Sequence, residues 1–156
     1  MSHVIKDPKT LKSRIGSGYP APHDAMCAGR EKRALGDAAG LKNFGVNYTV
    51  LPPGQASAQR HWHRVQDEFV WVLEGEITLV TDSGEEVLTP GMSVGFPAGK
   101  TDGHNLVNKT DKPVVYLEIG DRMPGDSGEY SDIDMIFERD AEDKPRWLHK
   151  DRTPFK

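Results

Sequence analysis

The stretch "RHWHRVQDEFVWVLEG", residues 60–75, sets two histidines and a glutamate within eight residues, immediately ahead of an apolar run. Side chains alternate across a strand, so His61 and His63 share a face with Ser57 and Gln59, while Trp62 points the other way. Two imidazoles at this spacing stand close enough to ligate one ion. Glu68 follows a short turn, Arg64 to Asp67, and can add a carboxylate oxygen. In the run that follows, Val70 and Val72 fall on one face and Phe69, Trp71 and Leu73 on the other. Both faces are apolar, so both should be covered. One fills a barrel; the other should meet the N-terminal arm, the C-terminal tail or a second subunit.

The same character extends over residues 44–120. Short β-like runs ("FGVNYTVL", "SAQRHWH", "EFVWVLEG", "EITLVTD", "EEVLT", "MSVGFP", "HNLVN", "PVVYLEIG") are separated by Gly, Pro, Asp and Asn. "DSGE" at 82–85 and "TPG" at 89–91 read as tight turns. No long segment has helical periodicity. This pattern predicts an all-β chain, a small antiparallel sandwich or barrel. Residues 1–43 read as an irregular arm rich in turn chemistry. Residues 121–156 read as a polar tail wrapping the barrel, with Ile133, Met135, Ile136, Phe137 and Trp147 as anchors. In the last barrel run, Val115, Leu117 and Ile119 are expected in the core, with Tyr116 and Glu118 on the opposite face.

Composition narrows the function classes. The chain has 156 residues, enough for one domain with a core, and a formal charge of -4. That balance argues against a nucleic-acid partner, whose domains usually carry a basic face. The apolar runs are too short to cross a bilayer, and the first residues are polar, without the apolar stretch of a secretory signal. Cys27 is the only cysteine, so neither an intrachain disulfide nor a cysteine-based zinc site is available. The cytoplasm is the expected location. The motifs of serine hydrolases, zincins, P-loops and dinucleotide-binding folds are absent.

His104 stands at the start of another run, in "AGKTDGHNLVN". Three imidazoles and one carboxylate suit Zn, Fe, Mn or Ni and leave positions free for a ligand. The spacing resembles that of the cupin superfamily, whose first motif is G, five residues, H-x-H, three or four residues, E, six residues, G. Here Gly54 is followed by six residues, His61-Trp62-His63, four residues, Glu68, six residues and Gly75. The second family motif is G, five residues, P-x-G, two residues, H, three residues, N. Here Gly91 is followed by five residues, Pro97-Ala98-Gly99, four residues, His104, three residues and Asn108. The departures are one extra residue before His61 and two before His104. The resemblance implies a jelly-roll barrel (double-stranded β-helix) with His61, His63, Glu68 and His104 as metal ligands. It also implies turn roles for Gly54, Gly75, Gly91 and Pro97 and a structural role for Asn108.

Around that centre, Arg60, Arg64 and Lys100 are candidates to attract a carboxylate or phosphate. Asp67 and Asp102 neighbour the ligands and are candidates to orient a histidine, and Gln59 shares their face. The function expected is a metal-dependent enzyme on a small polar or anionic molecule, of dioxygenase, isomerase or lyase type. The alternative is a non-enzymatic binding or regulatory protein in which the ion anchors a ligand or stiffens the barrel. A homodimer is expected from the second apolar face of residues 69–73. No general acid or base can be picked out.

Overall fold

The computed structural model describes residues 3–155. Thirteen strands are connected by turns and short helical pieces. They are β1 (Arg14–Ile15), β2 (Glu31–Ala34), β3 (Phe44–Leu51), β4 (His61–His63), β5 (Glu68–Glu74), β6 (Ile77–Thr81), β7 (Gly84–Leu88), β8 (Ser93–Phe96), β9 (Asn105–Val107), β10 (Val114–Asp121), β11 (Ser127–Tyr130), β12 (Ile136–Arg139) and β13 (Pro145–Leu148). All paired strands run antiparallel. One sheet has the order β1-β2-β3-β10-β5-β8, a second β13-β12-β11-β4 and a third β7-β6-β9. This is the expected all-β barrel. No helix among the described residues is long and apolar enough to cross a membrane.

The alternation read in residues 69–73 holds. Val70 and Val72 are buried in a core with Leu51, Ile77, Leu79, Leu88, Leu106, Val114 and Tyr116. Phe69, Trp71 and Leu73 remain exposed on the outside. Both predicted turns are present. β6 and β7 form a hairpin with Thr81 opposite Gly84, and Gly91, at a φ of 92°, turns the chain into β8. Asn108 is a structural residue: its buried side chain donates to the carbonyls of Leu51 and Lys112 and accepts from Thr110.

Two expectations are corrected. In β10 it is Tyr116 and Glu118 that face inward, because Tyr116 is paired with Val72 and Glu118 with Val70. Leu117 and Ile119 face outward opposite Trp71 and Phe69. The polar face lines a cavity instead of meeting bulk water, which inverts the usual reading of a half-polar strand. The arms are also more regular than their composition suggests. β1 and β2 extend the large sheet, and β11–β13 form a sheet with β4. That second pairing depends on Gly128 of β11, opposite His63. A Cβ there would lie 2.0 Å from the Trp62 carbonyl oxygen and 2.5 Å from the Phe137 ring.

Candidate metal centre

The four expected ligands come together. β4 carries His61 and His63 on its inward side, β5 opens with Glu68, and His104 leads into β9. His61 Nε2 lies 3.1 Å from His63 Nε2 and 3.8 Å from Glu68 Oε2. Glu68 Oε2 lies 3.4 Å from His63 Nε2 and 2.8 Å from His104 Nε2. One donor atom each from His61, Glu68 and His104 falls within 4.8 Å of the others. Donors bound to one ion at about 2.1 Å and at right angles are about 3 Å apart, so this set fits a divalent cation.

Two of the remaining ring nitrogens are held from outside. His61 Nδ1 donates to the Gln59 carbonyl at 2.8 Å, and His63 Nδ1 donates to Asp126 Oδ2 at 2.6 Å. Phe96 stacks on the His104 ring at 3.5 Å between centroids. The two hydrogen bonds fix tautomer and ring orientation, leaving Nε2 of His61 and of His63 directed at the centre. Asp126 is almost fully buried, and its other oxygen accepts from the amides of Val65 and Gln66.

The electrostatics of the cluster agree. Burial pulls the His61 imidazole down to about 4, against an opposing pull from Glu68. Burial also lowers His63, but hydrogen bonds to Asp126 and Glu68 outweigh it and carry the group up to about 10. Burial raises Glu68, yet His104 and His63 hold its carboxyl well below the usual range. The carboxylates of Glu68 and Asp126 thus favour a positive charge at the centre.

The cluster opens into a cavity of about 290 Å³. Tyr116, Glu118 and Lys32 line it from the large sheet, and Arg30, Tyr19, Tyr130, Phe137, Arg139 and Trp147 complete it from the two arms. Lys32 Nζ bonds Glu118 Oε1 at 2.6 Å. The Tyr116 hydroxyl is buried without a hydrogen-bond partner among the described residues. A second cavity, of about 310 Å³, reaches His63, Glu68 and His104 from the side of Lys100 and Asp102. The first is the better candidate for a ligand, because it contains all four cluster residues.

Other expected roles are redistributed. Arg60 is committed to Asp132 and Asp82, and Arg64 pairs with Glu129 while lying over the Trp62 ring. Neither lines the first cavity, whereas Lys100 borders the second. Asp67 accepts from the Ala98 amide and Asp102 from the Asp82 amide, so both brace loops. Gln59 reaches away to the His23 carbonyl. The residue that orients His63 is Asp126, which sequence reasoning missed. It sits in "PGDSG", a motif with the ordinary look of a turn.

Residues 47–120 match the family model described as a cupin domain. A sugar phosphate isomerase from the cupin superfamily of Silicibacter pomeroyi is 45% identical and superposes with a TM-score of 0.91, over 96% of this chain and 95% of that one. A provisionally named sugar phosphate isomerase from Acidithiobacillus ferrooxidans is 28% identical, with a TM-score of 0.76 over 85% and 83%. The polyketide cyclase RemF from Streptomyces resistomycificus shares the fold at 20% identity, with a TM-score of 0.61 over 76% and 78%. No curated protein matches this chain. Barrel, motif and likeness over nearly the full length agree, and the chain belongs to the cupin superfamily.

Proposed function

We propose that this cupin is a metal-dependent isomerase of a small sugar phosphate, with His61, His63, Glu68 and His104 as the ligands of one divalent ion. The observation that carries the reading is the cavity itself: four metal-type donors face a space of about 290 Å³ whose other charged groups are mainly basic. That volume suits one small ligand. The likeness to a sugar phosphate isomerase over almost the whole of both chains supports the same class. A bound ion would act as a Lewis acid on a substrate oxygen.

Glu118 supplies the proton-moving carboxylate that the sequence did not reveal. It faces the cavity, belongs to no ligand pair and is held by Lys32. Isomerisation requires a proton to leave a hydroxyl-bearing carbon beside a carbonyl and to return to the adjacent carbon. One positioned carboxylate can perform both transfers. The unpartnered Tyr116 hydroxyl is available to a substrate oxygen. We place the protein in the cytoplasm as a homodimer whose subunits meet on the Phe69–Trp71–Leu73 face.

The test is NMR of three- to six-carbon aldose and ketose phosphates, with protein loaded in turn with Fe(II), Mn(II), Ni(II) or Zn(II). Interconversion without oxygen uptake is expected, and the His61→Ala, His63→Ala double variant should abolish it. Oxygen consumption with iron would replace isomerase by dioxygenase. Ligand-dependent stabilisation with no turnover under any metal would make the protein a binding cupin.

A further inference from the structure

The cavity holds more positive charge than the fold accounts for. Arg14 and Lys32 stand directly opposite each other across the β1–β2 pair. Arg30 precedes Lys32 by two positions, and all three line the cavity. Like charges directly opposed weaken a strand pair. The alternate residues of β2, Glu31 and Arg33, neutralise one another at 2.7 Å, whereas among the described residues only Lys32 of the three has a carboxylate partner, Glu118. Arg30 is 6% exposed. Its guanidinium donates to the carbonyls of Ser57 and Gly16, its Nε is buried without a partner, and no acidic side chain pairs with it among the described residues. Arg14, exposed at the edge of the cavity, makes no side-chain hydrogen bond or ion pair among the described residues. On the opposite wall Arg139 gives one bond to the Asp143 carbonyl, and its Nε too is buried and unpartnered among the described residues. A buried charge without a counter-ion is costly to a fold, and the cost is removed when a ligand brings the opposite charge.

We propose that Arg14, Arg30, Lys32 and Arg139 form a subsite for the phosphate of a phosphate monoester. The ester's other end is then turned toward His61, His63, Glu68 and His104. The inference rests on the reading of this cavity as the substrate site. Cations approach from two sheets, β1–β2 on one side and β12 on the other. A tetrahedral dianion can meet donors from both sides, whereas a carboxylate offers two oxygens in one plane and a single charge.

Calorimetric titration of the metal-loaded protein tests it, with inorganic phosphate, ribose 5-phosphate and acetate as probes. Both phosphates should bind, the ester more tightly, and acetate should bind at least about tenfold more weakly. Arg14→Gln and Arg139→Gln should each weaken phosphate by about tenfold, with metal content and melting temperature retained. Arg30 is left out of the series because it also braces two backbone carbonyls. Absence of phosphate binding, or equal binding by the wild type and both variants, would overturn the subsite; the latter would place phosphate on the ion alone. Acetate binding as tightly as phosphate would also overturn it. Phosphate held by these arginines with no sugar phosphate isomerised leaves the subsite standing and removes the isomerase. Isomerisation with KM unchanged in both variants does the reverse.

Discussion

His61 and His104 exchange both of their backbone hydrogen bonds, His61 N to His104 O at 3.1 Å and His104 N to His61 O at 2.9 Å. Residues paired in this way hold their side chains on one side of the ladder, and the two rings stand 5.0 Å apart. The pair is why two extra residues before His104 do not displace it. They are absorbed in the loop from Lys100 to Gly103, and the register is set afterwards by the backbone.

Removing either imidazole of β4 should empty the centre. His61→Ala and His63→Ala are each expected to lose most bound ion, measured by elemental analysis of protein purified without added metal. Full occupancy in the double variant would refute the ligand assignment.

Asp126→Asn keeps the shape of the side chain but removes the charge that holds His63 Nδ1. Metal affinity should fall by about 10- to 100-fold. In competition with a chromogenic chelator, an unchanged affinity would mean that Asp126 only braces Val65 and Gln66.

Lys32 gives a pH signature. Burial lowers its pKa, only partly opposed by Glu118. Between that lowered value and the ordinary lysine value of about 10.4 the unfolded chain binds more protons, so stability rises with pH in this window. The stability of wild type relative to Lys32→Met should therefore increase as pH rises toward 10, in urea titrations of metal-free protein. A flat difference would show that Lys32 is not strained by burial. At pH 7 the Lys32→Met, Glu118→Gln double variant should be closer to wild type than either single variant, because a half-removed buried pair costs more than a wholly removed one.

The outer face of the large sheet carries Phe69, Trp71, Leu73, Leu117 and Ile119, with Trp71 47% exposed. Full burial of such a side chain is worth roughly 1.5–3 kcal/mol. Wild type should be a dimer at micromolar concentration in light scattering, and Trp71→Lys a monomer. A monomeric wild type would leave this face without a partner.

Gly128→Ala should destabilise the fold by at least about 2 kcal/mol, because its Cβ would collide with the Trp62 carbonyl. Bound metal should fall with it, since β11 aligns β4. An unchanged melting temperature would show that the two strands can separate at no cost.

The cluster was legible in part by a local rule and in part by resemblance to the cupin motifs, which added Glu68 and His104 to the expected set. Parity puts His61 and His63 on one face, and turns bounded by Gly75 and Gly91 frame the strands. The rest of the cavity depends on long-range pairings that leave no period in the sequence. Lys32 meets Glu118 across β3, and Asp126 reaches His63 from beyond the barrel. Tyr116 and Glu118 were read on the wrong side because both faces of β10 have a non-aqueous neighbour: the cavity within, and apolar Phe69 and Trp71 without.

The pairing of β4 with β11 also sets an order of assembly. All four donors have left the ribosome once His104 has, yet the aspartate that aims His63 and the strands that roof the cavity are made later. Only when β11 pairs with β4 is Asp126 set against His63, so the aim of that ring is fixed by a segment made after all four side chains of the cluster.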